Sequence, residues 1–424
     1  MIRKILSILR GVDTTCHTRV IDDIKKLNNF NRIWNIAISN YSFYSNYCYK
    51  NNLPKEIKSL IELEDFPIIT REDIIKNQKS IIEESKNSIL RTTGGSSGTP
   101  ILIPFSKFDR INDYKNIYSS RSFFLKDDPK SILMSWGHSH LFGSNIYGYL
   151  NNLTRKVKDF LTGITRISVY GDSISVSNKA LKKLTDKKYD ILIGYSSHII
   201  NLTKLIDLNK NDINFPSLLV LTAESFTKED YLFIKSVFKK SIVISEYGSS
   251  ETGVIASGEP GVLSVFNDFI LQNDINHGLI VTSLKKKSFP LIRYAIGDTV
   301  KDAIKDSNNI INNFSYIEGR IGDKITLNGT DNSKKIFSSL ELQHIFKTAV
   351  SIWGIQFYTI NENIFIVSSL INKLDLNEYE KQILNNFKKC YDKIDLNKIH
   401  FKYSTNLKKS ISGKVFFRVP NEYI

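Results

Sequence analysis

Between residues 131 and 251, short apolar runs alternate with amphipathic helical patterns, and this alternation limits the chain to a narrow set of folds. "SILMSW" (131–136) reads as a buried strand. "DILIGYSSHIINLTKLI" (190–206) reads as strand, glycine turn and helix. "SLLVLTAE" (217–224) reads as a strand, "TKEDYLFIKSVF" (227–238) as a helix, and "SIVISEYGSSE" (241–251) as a strand that ends at Ser245 and runs into a loop. Strands alternating with helices predict an α/β fold with a largely parallel sheet. Ligands of such sheets gather at the loops beyond the strand carboxyl ends.

The flanking regions differ. Residues 20–62 read as helix and polar loop, and "FPIITREDI" (66–74) as a turn in which Thr70 caps the following helix. "GLIVTSL" (278–284) and "LIRYAIGD" (291–298) read as strands joined by a lysine-rich hairpin. After about residue 320 come a hairpin over 355–370, a helix over 377–394 and a last strand over 400–406. The expected architecture is therefore a large multi-sheet α/β N-terminal domain, residues 1–319, and a small α+β C-terminal domain, residues 320–424.

A chain of 424 residues has room for two or three domains. The net charge of +15 allows nucleic acid, anionic lipid or an acidic small molecule as partner. The lysines are spread along the chain, however, and short runs such as "KKK" (285–287) read as solvated surface. No RNP-like, helix-turn-helix or zinc-finger pattern accompanies them, so no specific nucleic-acid partner is expected. Cys16, Cys48 and Cys390 are scattered, which argues against a disulfide framework or a zinc site and fits reducing cytosol. No apolar run is long enough to cross a bilayer, and the opening "MIRKILSILRG" reads as a first helix packed on its domain.

Five motifs carry chemistry. "TTGGSSGTP" (92–100) follows a helix-and-loop region; its glycines let backbone N–H groups approach an anion, and its hydroxyls add donors. It lacks the Walker spacing, and taken alone it also fits a plain loop. "SEYGSSETG" (245–253) presents Tyr247, an aromatic able to lie against a purine, beside Gly248, and then Glu251, a hard oxygen ligand suited to Mg²⁺. "RYAIGD" (293–298) offers Asp298, whose carboxylate suits two ribose hydroxyls. "EGRIGDKI" (318–325) and "SISGKVFFRV" (410–419) add Arg320, Asp323 and Lys414.

In order and spacing these five motifs resemble those of the adenylate-forming superfamily of acyl-CoA synthetases and adenylation domains, from about Phe66 to Val419. "FPIITREDI", "LTAESF" and "PLIRYAIGD" are similar to the phenylacetate–CoA ligase branch, and "DKITLNGT" with "LELQHIF" to its capsular polysaccharide biosynthesis relatives. The resemblance implies a role for each matching position. Thr93, Gly95, Ser96, Ser97 and Gly98 hold the ATP phosphates. Glu224 and Ser225 border the adenine, Tyr247 stacks on it, Asp298 takes the ribose and Arg320 contacts the nucleotide. Glu251 binds Mg²⁺, and Lys414 bridges the acid and the α-phosphate.

The C-terminal domain is then mobile, with Gly322 at the hinge where the family usually has Asp or Lys. The implied activity is ATP-dependent formation of an acyl-AMP from a small carboxylic acid. The acyl group then passes to CoA, to an amine such as that of an amino sugar, or to a separate carrier protein. A cytoplasmic role in surface polysaccharide synthesis follows from the capsule-like motifs. Family members with zinc carry Cys and His ligands that have no match here, so no zinc is expected. Trp136, His138, Phe142 and Tyr195 are the expected substrate wall, and His198 reads as a buried histidine near it. A non-catalytic scaffold of the same fold is the competing reading; the retained Glu251, Asp298 and Lys414 argue against it.

Overall fold

The computed structural model describes residues 22–92, 101–136, 156–169, 173–209, 212–321, 325–331, 333–337, 342, 345–346, 352–370, 376–409 and 415–424. These fall into two compact units. The first takes residues 1–95, 99–130 and 242–317; the second takes 96–98, 131–241 and 318–424.

In the first unit, helices Asp23–Asn40, Ser42–Lys50, Arg71–Glu84 and Lys107–Leu125 accompany antiparallel strands. The strands Ile242–Ser249, Gly253–Glu259 and Val262–Val265 form a meander, extended by Ile311–Phe314 and Ile304–Lys305. Phe269–Asp274, Gly278–Ser283 and Tyr294–Ala295 make a second antiparallel sheet. Aromatic side chains build the core between these elements. Trp34 meets Phe66 and Tyr44 edge-on, at ring-centroid distances of 5.2 and 6.1 Å, a geometry that the ring quadrupole favours. Thr70 caps its helix as expected: its hydroxyl accepts the Asp73 N–H, and the Asp73 carboxylate accepts the Thr70 N–H.

In the second unit, four strands run parallel in the order Ile164–Ser168, Ile132–Trp136, Ile191–Tyr195, Leu218–Thr222. Ile191–Tyr195 is buried throughout, as an interior parallel strand requires. Helices Ser173–Asp186, Ser196–Asn209 and Lys228–Val237 alternate with them, which is the predicted α/β order. Gly194 lies within its strand, and the helix starts at Ser196 without the expected glycine turn. The later residues of this unit form the hairpin Ile352–Ile360 with Asn363–Leu370, then Leu376–Cys390, whose Tyr379, Ile383 and Phe387 are buried at helical spacing, then Ile399–Tyr403, parallel to Asn363–Leu370. Among the described residues no helix is long and apolar enough to cross a membrane.

Candidate nucleotide site

A strand, and not the expected helix-and-loop region, leads up to residue 93, and a second strand follows residue 101. Ser88–Thr92 and Leu102–Ser106 are antiparallel, with Ser88 opposite Ser106 and Thr92 opposite Leu102. Arg91 lies over the Phe105 ring, with Cζ 3.3 Å from its centroid.

Ile242–Ser249 runs on past Ser245, because Ser245, Glu246 and Tyr247 pair with Gly258, Ser257 and Ala256 of the next strand. Tyr247 therefore sits in a strand and not in a loop. Its ring, 7% exposed, meets Phe314 edge-on at 5.8 Å, and its hydroxyl donates to the Asp298 carboxylate at 2.8 Å. The register shifts at Gly248, where an added Cβ would lie 2.1 Å from the Gly253 carbonyl oxygen. Only glycine fits so close an approach of backbone to backbone.

Glu251 occupies the turn that follows. Hydroxyl groups tie this turn together: Ser249 Oγ accepts the N–H groups of Glu251 and Thr252, and Thr252 Oγ1 accepts that of Ser249. The Glu251 carboxylate lies 4.0 Å from Arg71 at the start of its helix. Gly253 leaves the turn at φ +75°, and an added Cβ there would fall 2.4 Å from Asp113 Oδ1. Asp113 accepts the Val254 N–H at 3.1 Å and lies 3.6 Å from Arg91. Burial pushes the Asp113 carboxyl upward against the pull of Arg91.

Of the lysine run 285–287, Lys287 is exposed as expected, Lys285 is half-buried and Lys286 is buried. Lys285 pairs with Asp268. Lys287 lies 4.5 Å from the Phe108 ring centroid, and its backbone N–H donates to Asp109. Lys286 is 6% exposed, and its Nζ donates to the Glu251 backbone carbonyl at 3.0 Å. Burial pushes its amine down to about 7, partly offset by Asp109. A cleft here is lined by Asp113, Thr252, Val254, Asp268, Lys285 and Lys286. Beneath it, Arg121 clamps Glu246 through two buried hydrogen bonds of 2.7 and 2.8 Å, fixing the strand beside Tyr247.

In the second unit, Trp136 and Tyr195 come together with ring centroids 4.8 Å apart, and Tyr195 meets His198 at 5.8 Å. Burial drives the His198 imidazole down to about 3, helped by Lys409, so it is neutral. Glu224 accepts the Ser197 N–H at 3.0 Å and, through its backbone carbonyl, the Ser196 hydroxyl at 3.0 Å. Ser225 follows it in the same half-buried loop. Arg320 ends the strand Tyr316–Arg320. Thr93, Gly95, Ser96, Ser97, Gly98, His138, Phe142, Gly322 and Lys414 lie outside the described residues.

Among the described residues no group of three or more His, Cys, Asp or Glu could hold a metal ion. Glu251 supplies one carboxylate at a turn. That suits Mg²⁺ carried by nucleotide phosphates, which needs only one or two protein carboxylates. The sequence reading missed Lys286, Asp113 and the Arg121–Glu246 pair. The signal for Lys286 was its position between two strongly apolar stretches, "GLIVTSL" and "FPLIRY".

No family model matches the chain. It is 27% identical over 303 residues to Protein CapK of Staphylococcus aureus, covering 67% of this chain and 64% of that protein. The chain thus spans a little under two thirds of the length of this curated relative. Among solved structures, it superposes on 2-hydroxyisobutyryl-CoA ligase in the postadenylation state, in complex with R3-HIB-AMP, with a TM-score of 0.70 and 13% identity, covering 94% of this chain and 90% of that one. The anthranilate CoA ligase AuaEII in complex with anthranoyl-AMP matches with a TM-score of 0.50 and 15% identity, over 77% of this chain and 65% of that one.

Proposed function

We propose that this chain, which has the fold of the adenylate-forming ligases, is an ATP-dependent ligase that activates a small carboxylic acid as its acyl-AMP. The observation that carries the reading is the Tyr247–Asp298 hydrogen bond beside the Glu251 turn. It joins an aromatic to a carboxylate suited to a ribose diol, and the aromatic stands four residues before a carboxylate suited to Mg²⁺.

In this reading an oxygen of the substrate carboxylate attacks the α-phosphorus of ATP. A new P–O bond forms, the bond to the bridging oxygen breaks, and pyrophosphate leaves. Two anions must meet, so positive charge has to be concentrated on the phosphates. Mg²⁺ bound with ATP supplies part of that charge. On the protein, Glu251 holds the ion, Lys414 bridges the acid and the α-phosphate, and the 93–98 segment cradles the phosphates. Asp298 takes the ribose, Tyr247 and Gly248 form the adenine side with Glu224 and Ser225, and Arg320 contacts the nucleotide. Trp136, Tyr195, His138 and Phe142 wall the acid. Gly322 serves as hinge between domains 1–319 and 320–424.

The acyl group then passes to CoA or to an amine such as that of an amino sugar. Likeness to Protein CapK and the capsule-branch motifs support a role in surface polysaccharide synthesis, and the scattered cysteines a cytoplasmic one. The test is pyrophosphate release with ATP·Mg²⁺ against a panel of aliphatic, aromatic and amino acids, run beside Lys414→Ala. Release with at least one acid, sharply reduced in the variant, is the expected result. No release from any acid, together with no ATP binding by calorimetry, would overturn the reading.

A further inference from the structure

We propose that Lys286 is a positioning residue for Glu251: it sets the carboxylate at the Mg²⁺·phosphate position by holding the turn's backbone from beneath. This inference rests on the ligase reading above and adds to it a residue that none of the sequence motifs contains.

Three observations carry it. The Lys286 Nζ donates to the carbonyl oxygen of Glu251 itself, 35 residues away, so the bond acts on the peptide unit adjoining the candidate ligand. Lys286 is 6% exposed and reaches the turn past the Phe105 ring, 5.2 Å from its centroid. A buried ammonium is costly unless it is needed and partnered, and a solvated lysine would bring none of this geometry. Finally, the chain leaving the same turn is held at Val254, whose N–H Asp113 accepts, and Asp113 lies 3.6 Å from Arg91 on the stem of the 93–100 segment. The charged groups around the ammonium are Asp109 and Asp113 from the helix, Arg91 from the stem strand, and Glu251 from the turn. Lys286 and Asp113 thus hold the turn at two points of its backbone, Glu251 and Val254. A rigid turn presents the carboxylate at one place, which is what a Mg²⁺ ion demanding near-ideal geometry requires.

The experiment is calorimetric titration of the full chain with ATP, in Mg²⁺ and in EDTA, for wild type, Lys286→Met and Lys286→Arg. Thermal unfolding of each is measured alongside. The expected result is about tenfold weaker binding of ATP·Mg²⁺ by Lys286→Met, the loss of one charge-assisted hydrogen bond's worth of positioning. Binding of metal-free ATP should be unchanged, and Lys286→Arg should recover most of the Mg²⁺-dependent part. A purely structural lysine would lower the unfolding temperature and leave the Mg²⁺ dependence alone, and that outcome overturns the proposal. Should Lys286→Met fail to fold, Lys286→Leu, which also lacks a donor, replaces it; a wild-type Mg²⁺ dependence there would equally overturn the proposal. Failure of wild type to bind ATP at all would instead remove the ligase reading, and this inference with it.

Discussion

The hydroxyl of Tyr247 donates to the carboxylate of Asp298 across 2.8 Å of space and 51 residues of sequence. One residue lies in a meander strand and the other opens the strand Asp298–Lys301, so the bond couples two elements that would face the same nucleotide. Tyr247→Phe removes the donor and leaves the carboxylate. The expected cost is about 1.5–3 kcal/mol of stability, as for a hydrogen bond to a charged acceptor, read from urea unfolding. Asp298→Asn should weaken ATP binding by about tenfold, the worth of one charge-assisted hydrogen bond; wild-type affinity would remove Asp298 from the site.

Arg121 and Glu246 test the foundation of the site. Arg121→Met leaves a buried carboxylate without its partner and should cost about 3–5 kcal/mol. Glu246→Leu added to it should restore much of that loss. A double variant as unstable as the single one would show that the pair is more than a satisfied charge couple.

Gly248 makes a steric claim. A methyl group at this position would run into the Gly253 carbonyl oxygen at 2.1 Å. Gly248→Ala must open the hairpin and is expected to destabilise by about 1–3 kcal/mol, the range for overpacking. It should also displace the Glu251 turn, seen as weaker ATP·Mg²⁺ binding in calorimetry. An alanine variant with unchanged stability and affinity would refute the close approach.

His198 makes a prediction about acid. Its folded pKa of about 3 lies below the unfolded value, so the unfolded chain binds more protons between these two values. Stability contributed by the neutral imidazole is full above about pH 6.5 and falls as pH drops toward 3. Between pH 7 and 5 the loss should be about 2 kcal/mol from this group alone. The difference in urea midpoint between wild type and His198→Gln, followed against pH, isolates it; parallel curves would contradict the burial.

Three of the four parallel strands were legible because they are largely apolar, and "DILIGY" or "SLLVL" has little else to be; Ile164–Ser168, half-buried and carrying Thr165 and Arg166, was not. Tyr247, Gly248, Glu251 and Asp298 could be picked out because each sits in a short, chemically unusual motif. What could not be read was pairing. Nothing local says that "SEYGS" continues as a strand, since its partner Gly253–Glu259 lies across a turn made by hydroxyl bonds. Nor does a lysine triplet announce which member turns inward; Lys286 lies past the end of the strand Gly278–Ser283, in irregular backbone whose path no periodicity reveals. Asp113 and Arg121 were invisible for a related reason. They are polar residues on a buried helix face, where the usual apolar stripe is missing.

The ladder from Ser88–Ser106 to Thr92–Leu102 has a consequence for how this chain could change over time. Both ends of the 93–100 segment are fastened by the stem, so chain inserted between them adds closure entropy only logarithmically, about 0.6 kcal/mol for each doubling of length. The paired stem, more than the length of chain between its strands, sets how far apart Thr92 and Leu102 stand, so the spacing of the two ends is inherited from the ladder.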